Sequence, residues 1–514
     1  MMREPALAAW NYCERFLDAL FGGALNPLRH LGALASLFFL LLAVSGVYLY
    51  AVLDTSLEGA WRSIDDLSRN QWWLGGVFRS LHRYAADAFV IVTALHLLRE
   101  WLLGHYRGFR RYSWLTGVPL LMFIWISGVG GFWLNWDRLG QFSAIATAEL
   151  LDWLPVFGSA FARNFLDDAA MSDRLFSLFV FVHIGVALLL LFTAWFHLHR
   201  ISHAEVLPSR ALAAGASATL LLLALVAPVM SQAPADLSVA QGTLAIDWLL
   251  LFMLPVMYAT SPGWVWALSA GALLLLFALP FATRAARPEV ARVDADNCNG
   301  CRQCFDDCPY AAITMAPHPD GKPGNEIAIV DASLCASCGI CTGACPPASP
   351  FRSVEPLTPG IDMPQAPIGA LRERLEARLA ALHGDSRIVV FGCDHGANVG
   401  ALASADVIDF SLLCTGMLPP SFIEYAARHG ATGVLITGCR EGGCEFRLGN
   451  RWTVERLSGE RKPWLRRRAP RERLRVVWAD RGEEKSLQAA VRDLRNLPPA
   501  AVAGAIRRPA RGVR

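Results

Sequence analysis

Six stretches in the first 285 residues are apolar over roughly 20 residues each, the length that crosses a bilayer. They are residues 31–53, 84–103, 114–136, 178–198, 212–230 and 264–283. In lipid every backbone N–H and C=O must be satisfied within the chain, so such runs predict helices. Composition agrees: hydrophobic residues make up 54%, charged residues 18%, and mean hydropathy is +0.35. These values exclude an ordinary soluble enzyme and a disordered chain. The net charge of +3 gives no case for nucleic acid as a partner. A further apolar segment, 246–259, is short, begins near Asp247 and contains Pro255. It reads as a re-entrant or interfacial piece, with a short seventh helix as the alternative.

Loop charges favour six spans. Arg107, Arg110, Arg111, Arg200, Arg210, Arg284 and Arg287 fall on one side. Asp54, Glu58, Asp65, Asp66, Asp152, Asp167, Asp168 and Asp173 fall mostly on the other. The positive-inside rule then predicts both termini in the cytoplasm of a prokaryotic inner membrane. A seventh span would send the C-terminal half outside. That half is polar and holds all of the thirteen cysteines except Cys13.

His82 and His96 stand fourteen residues apart, and so do His183 and His197. Fourteen residues is close to four helical turns, so each pair shares one face, about 21 Å apart along the axis. A single histidine in a membrane helix is most simply a hydrogen-bonded bundle residue. Two pairs at one spacing predict two bis-histidine sites, which is what two stacked b haems require. Gly32 and Gly46, and Gly117 and Gly131, repeat the same spacing on the first and third runs. A flat macrocycle between helices needs side chains missing at its own depth, and glycine provides that. Helix packing alone also favours small residues.

Residues 30–283 resemble cytochrome b of the quinol-oxidising cytochrome bc and b/f complexes. The matching text is Arg79-Ser80-Leu81-His82-Arg83-Tyr84, Trp114-Leu115-Thr116-Gly117-Val118 and Gly131-Phe132-Trp133-Leu134-Asn135-Trp136-Asp137. The resemblance implies an outer haem held by His82 and His183 and an inner haem held by His96 and His197. It implies Arg79 and Arg83 as propionate partners. His199 stands two residues off the ligand spacing. Asp247-Trp248 occupies the place of the family's Pro-Glu-Trp-Tyr motif at its outer quinone site. Ile246 replaces the Pro, Asp247 the Glu and Leu249 the Tyr, so the carboxylate alone survives beside the Trp. An acid at an apolar membrane edge reads as functional, here in quinone proton transfer. The same residue also reads as a helix N-cap.

Residues 290–350 carry Cys298-x2-Cys301-x2-Cys304-x3-Cys308-Pro309 and Cys335-x2-Cys338-x2-Cys341-x3-Cys345-Pro346. Both runs resemble bacterial two-cluster ferredoxins, in which the fourth cysteine ligates the other cluster. The resemblance implies one [4Fe-4S] on Cys298, Cys301, Cys304 and Cys345. It implies a second on Cys335, Cys338, Cys341 and Cys308. The linker from residue 284 to 297 reaches at most about 50 Å, so the clusters are expected near the cytoplasmic face.

Residues 387–459 alternate strand-like and helix-like text, which predicts a small α/β domain. Cys393, Cys414 and Cys439 end apolar runs and Cys444 follows. Four convergent thiolates suit an iron–sulfur cluster or zinc. Leu413-Cys414-Thr415-Gly416-Met417 and Gly438-Cys439-Arg440-Glu441-Gly442-Gly443-Cys444 resemble the delta subunit of methyl-viologen-reducing hydrogenases. That resemblance implies a [2Fe-2S] cluster exchanging electrons with flavoprotein or heterodisulfide-reductase-like partners. The family's further cysteine corresponds to Gly396 here, and its histidine after the last cysteine to Glu445.

The expected fold is therefore multi-domain: an α-helical membrane bundle of about six spans with a four-helix dihaem core, a ferredoxin-like α+β domain and a small α/β domain. The expected boundaries are 1–29 for an amphipathic surface segment, 30–204 for the dihaem bundle and 205–287 for two further spans with the quinone-site-like piece. They continue as 288–352 for the ferredoxin domain, 353–385 for a linker and charged helix, 386–460 for the [2Fe-2S] domain and 461–514 for an Arg-rich tail. That tail reads as solvated, or as attracted to anionic lipid or an acidic partner. No nucleotide-binding Gly-rich fingerprint is present, so no flavin or NAD site is expected in the chain. The expected function is membrane electron transfer within a quinone-linked oxidoreductase complex, as a homodimer or larger assembly. Reversed flow and a purely anchoring role are the rival expectations. Cys13 reads as a free thiol.

Overall fold

The computed structural model describes residues 3–157, 161–165, 171–238, 242–282, 289–321, 325–382, 384, 386–440 and 442–497. The expected break at 284–288, the loop acids Asp167 and Asp168, Glu441 and the tail from 498 lie outside the described residues. The chain divides into two compact units, Met1–His199 with Ala204–Ala286, and Arg200–His203 with Arg287–Arg514.

The first unit is helical. Its helices are α1 (Arg3–Phe21), α2 (Leu31–Val52), α3 (Leu57–Arg69), α4 (Val77–Leu103), α5 (Arg111–Asn135), α6 (Arg138–Asp152), α7 (Asp173–Leu198), α8 (Arg210–Val226), α9 (Met253–Ala259) and α10 (Pro262–Ala278). Side-chain caps set several starts. Ser56 accepts from Gly59 N–H, Asp137 from Gly140, Ser172 from Leu175 and Ser261 from Trp264, each satisfying an orphan donor of a first turn. Gly104 ends α4 at φ 79°, where a side chain would be strained.

Leu31–Val52, Gly108–Asn135, Asp173–Leu198 and Pro262–Phe281 are long and apolar enough to cross a membrane by length and composition. The other two expected spans are helical as well. Helix α4 is long but carries Arg79, Arg83, Asp87, Arg99 and Glu100, and α8 is apolar but only 17 residues. The 246–259 segment contains the seven-residue α9, too short to span. Large apolar side chains point outward on α2 and α7, with Val47 72% and Phe181 71% exposed. Such faces are stable against lipid and costly against water. Helix α2 packs chiefly on α4, and α5 on α7, with Leu34, Phe38, Ala85, Phe89, Ile124 and Leu190 in one shared core. Helix α1 buries Trp10 against Leu31 and Leu102 and turns Tyr12, Phe16, Leu20 and the exposed Cys13 outward.

The second unit begins with β1 (Arg292–Val293), α11 (Gln303–Asp307), β2 (Ile313–Pro317), β3 (Glu326–Val330), α12 (Ile340–Ala344), β4 (Ile361–Asp362) and α13 (Ile368–Ala380). The two antiparallel pairs are β1 with β4 and β2 with β3. There follow β5 (Ile388–Cys393), β6 (Val407–Leu412), α14 (Ser421–Arg428), β7 (Gly433–Gly438), α15 (Gly449–Ser458), β8 (Leu474–Trp478) and α16 (Glu484–Arg495). Strands β6-β5-β7-β8 form a parallel sheet in that order. Both faces of this sheet are covered, as parallel sheets require. Val389, Phe391, Val434 and Ile436 face one core, and Ile388, Val390 and Leu435 face the other.

Two features depart from the expected organisation. Residues 461–497, expected as part of an Arg-rich tail, supply the edge strand β8 and the helix α16. Leu487, Ala490, Val491 and Leu494 recur at helical spacing and seal the second face of the sheet. The arginines that masked this pattern lie on the polar side. Second, the ferredoxin-like and α/β regions share a single core. Ala291, Cys304, Ile313 and Cys341 join Leu371 and Leu375 of α13 and Phe391, Phe410 and Phe422 in one cluster.

Truncating Leu435, fully buried at the centre of the sheet, to alanine should cost about 2–5 kcal/mol. Thermal unfolding of the purified chain should show the second unit melting earlier, and an unchanged transition would contradict the two-faced core.

Candidate functional site

The histidine pairs converge as the spacing requires. His82 on α4 and His183 on α7 have ring centroids 6.4 Å apart. At about 2 Å per metal–imidazole bond and about 1 Å more to each ring centre, that separation would let His82 and His183 hold one metal ion between them. His197 on α7 lies within electrostatic reach of His96 on α4.

Each histidine faces its own glycine. A Cβ on Gly46 would stand 3.2 Å from His82 Cε1, and one on Gly131 3.2 Å from His183 Cε1. The values are 3.3 Å for Gly117 and His197 and 3.6 Å for Gly32 and His96. The four glycines thus sit at the depth of the four rings.

Hydrogen bonds orient three of the rings. His183 Nδ1 donates to the Ser127 carbonyl at 2.8 Å. Ser45 Oγ already donates to Leu41 O, so at 2.9 Å it accepts from His82 Nδ1. Thr116 Oγ1 donates to Tyr112 O and accepts from His197 Nδ1 at 3.2 Å. With the proton held on Nδ1, the lone pair of Nε2 is free to bind iron. The pattern of spaced histidines does not name Ser45, Thr116 and Ser127. A signal was present for two of them, since Ser45-Gly46 and Thr116-Gly117 each place a hydroxyl residue directly before the glycine that faces the ring, whereas Ser127 acts through its backbone carbonyl.

The two arginines have protein partners. Arg79 is buried and donates to Ser68 Oγ (2.7 Å), Ser231 Oγ (2.8 Å) and Asn135 Oδ1 (3.1 Å). Those bonds tie α4 to α3, the end of α5 and the segment after α8. Arg83 pairs with Asp87 one turn along α4 and with Asp247. Asp247 Oδ1 also accepts from Leu249 N (3.0 Å) and Leu250 N (2.8 Å). Asp247 therefore caps a turn, as one of its two sequence readings expects, and it also stands beside an arginine adjacent to His82.

In the second unit the ferredoxin cysteines ring two cavities. One is lined by Cys298, Cys301, Cys304 and Cys345. The other is lined by Cys308, Cys335, Cys338 and Cys341. Each ring takes three cysteines from one run and the last from the other. Burial and the neighbouring thiols push Cys304 up to about 12, and burial is the main cause that raises Cys345 to about 11. At neutral pH thiols held this way stay protonated unless a bound cation offsets their charge, as the iron of a cluster would.

The remaining four cysteines meet at the C-terminal edge of the parallel sheet, where α/β folds place their ligands. Cys393 ends β5, Cys414 follows β6 and Cys439 follows β7. Cys393 Sγ and Cys439 Sγ are 3.9 Å apart, and Cys444 reaches both Cys414 and Cys439. At Gly396, a Cβ would stand 2.8 Å from the Gly438 backbone carbon, so this position has no room for a fifth cysteine.

Comparisons with known proteins divide the chain in the same way. Residues 16–205 match the family described as Cytochrome b/b6/petB. Residues 297–349 match the 4Fe-4S dicluster domain. Residues 388–497 match the delta subunit of methyl-viologen-reducing hydrogenase, and this match includes β8 and α16. Cytochrome b6 of Heliobacterium mobile is 28% identical over 162 residues, 32% of this chain and 76% of that protein. Cytochrome b6 of Synechococcus elongatus is 28% identical over 156 residues, 30% of this chain and 72% of that protein. A solved hyperthermophilic respiratory Complex III chain aligns with TM-score 0.41 and 20% identity over 50% of this chain and 75% of that one. The protein is a multi-pass membrane electron-transfer subunit that joins a cytochrome b-like, haem b-binding region to a 4Fe-4S ferredoxin region.

Replacing Gly131 by valine forces a side chain against the His183 ring, whereas a Cβ on Gly185 of α7 meets nothing within 4 Å. Gly131→Val should lose one haem, read from the pyridine haemochrome spectrum, and Gly185→Val should keep full haem content. Equal haem in both variants would contradict the glycine assignment.

Proposed function

We propose that the chain links a cytosolic flavin- or iron–sulfur-containing oxidoreductase to the membrane quinone pool. The cofactors supply the one-electron chemistry: two b haems, two [4Fe-4S] clusters and one [2Fe-2S] cluster. His82 and His183 hold the outer haem, and His96 and His197 the inner one. The observation that carries this reading is the fourfold pairing of histidine with glycine at matched depth.

The ferredoxin cysteines hold the two four-iron clusters in the sets that line the two cavities. Cys393, Cys414, Cys439 and Cys444 would hold the two-iron cluster: their contacts run from Cys393 to Cys439, from Cys439 to Cys444 and from Cys444 to Cys414, and four cysteines suffice for that cluster type. The iron–sulfur half lies in the cytoplasm by the distribution of loop arginines. The partner docks on this half, and the chain itself works in a homodimer or larger complex.

Quinone reacts near the outer face at Asp247, with Arg83 linking that acid to the surroundings of His82. Reduction there consumes two electrons and two protons per quinone, and Asp247 passes protons from the outer side. Electrons moving from cytoplasm to outer face run down the membrane potential, worth about 2.3 kcal/mol per charge per 100 mV. A donor too weak to reduce quinone unaided is then able to do so. The cap made by Asp247 favours a second reading, in which this acid shapes the turn and the membrane half anchors a soluble redox complex.

Asp247→Asn keeps the cap acceptor and removes the titratable group. Quinone reduction should fall by roughly 100-fold in this variant, the scale of a lost general acid–base residue. Normal turnover would remove Asp247 from the proton transfer and leave it the capping role alone. In sealed vesicles energised so that the cytoplasmic side is negative, an uncoupler should slow quinone reduction, and insensitivity would contradict the outward direction.

A further inference from the structure

The loop that carries Cys414 is packed directly on the loop that carries Cys338 and Cys341, backbone against backbone. A Cβ on Gly343 would stand 2.1 Å from the Gly416 carbonyl oxygen. A Cβ on Gly416 would meet Ile340 Cγ1 at 3.0 Å and Gly449 Cα at 3.2 Å. A Cβ on Gly449 would stand 2.2 Å from Cys414 Sγ. Three glycines in series therefore remove the side chains that would otherwise separate the two cysteine sites. Cys338 and Cys414 lie within electrostatic reach of each other.

A buried cation clamps the same contact. Arg456 on α15 is 1% exposed. It donates to Gly416 O at 2.7 Å, to Asp307 Oδ2 at 2.5 Å and to Ile340 O at 3.4 Å. Gly416 is two residues from Cys414, Asp307 directly precedes Cys308, and Ile340 lies between Cys338 and Cys341. One guanidinium thus holds both cysteine loops. Arg461 pairs with the other Asp307 oxygen at 2.6 Å, and Trp452 Nε1 donates to Asp307 O at 3.0 Å. The Nε of Arg456 is buried without a protein acceptor. Removing one partner from a buried pair of this kind is strongly disruptive.

We infer that the site of Cys308, Cys335, Cys338 and Cys341 exchanges electrons directly with the centre of Cys393, Cys414, Cys439 and Cys444, across the Gly343–Gly416 contact, with Arg456 as the positioning residue. The inference rests on the reading that both sites carry clusters. A single electron moves: one cluster is oxidised as the other is reduced, and no bond or proton changes. The site of Cys298, Cys301, Cys304 and Cys345 neighbours the other ferredoxin site, where Cys304 lies within electrostatic reach of Cys341.

The test is electron paramagnetic resonance of the purified full-length chain, reduced stepwise with dithionite. The signal of the C-terminal centre should broaden in step with reduction of one four-iron cluster. Cys335→Ala with Cys338→Ala should abolish the broadening, and Cys298→Ala with Cys301→Ala should leave it. Broadening that is absent, or that is lost with Cys298→Ala and Cys301→Ala and kept with Cys335→Ala and Cys338→Ala, would overturn the inference. Arg456→Met should weaken the broadening at unchanged iron content, and Arg456→Lys should restore part of it. If neither substitution alters the signal, the positioning role fails. About eight irons per chain with no third signal would instead remove the C-terminal cluster itself, and the inference with it.

Discussion

A histidine ring standing against a glycine on the facing helix is the contact on which the membrane half depends. Each ring has to project into the bundle to present Nε2, and each needs room beside it at its own depth. Any β-carbon at Gly46, Gly117 or Gly131 would come within 3.2–3.3 Å of a ring carbon. Helices α2 and α5 are therefore constrained by what α4 and α7 carry. The hydroxyls of Ser45 and Thr116, one residue before two of those glycines, complete the arrangement by holding the Nδ1 proton. Clearance and tautomer are thus specified by residues next to one another in the chain.

The same device recurs in the second unit with a different purpose. Gly343, Gly416 and Gly449 allow two cysteine-bearing loops to touch through their backbones. In the bundle, missing side chains leave space beside the histidine rings; between the cysteine loops, they abolish distance. Arg456 then fixes the approach that the glycines permit. The charge that clamps the loops is buried with Asp307 and would be costly if either partner were lost.

Much of this was legible in the sequence because it follows from fixed intervals. The histidine and glycine spacings and the two cysteine runs report helical pitch and cluster geometry directly. The C-terminal strands β5, β6 and β7 were visible as apolar runs ending in cysteine. What escaped was pattern hidden by composition. Helix α16 presents Leu487, Ala490, Val491 and Leu494 to the sheet, yet its neighbourhood reads as an arginine-rich tail. Helix α13 looks like a charged linker helix and buries Ile368, Leu371, Leu375 and Leu379. Helices α3 and α6 lie in loops between spans and carry no long apolar run. Arg456 gives no local signal, because its partners Asp307, Ile340 and Gly416 are distant in sequence. Asp247 stayed open for a different reason: a capping carboxylate and a proton-transferring one occupy the same kind of position.

The measurement that tests the account most directly is a dithionite-reduced minus oxidised optical spectrum of the purified protein, joined to haem and iron quantitation. The account predicts two b haems and about ten non-haem irons per chain, the sum of two four-iron clusters and one two-iron cluster. A chain that binds no haem would contradict its central claim, and the four matched histidines would then be structural.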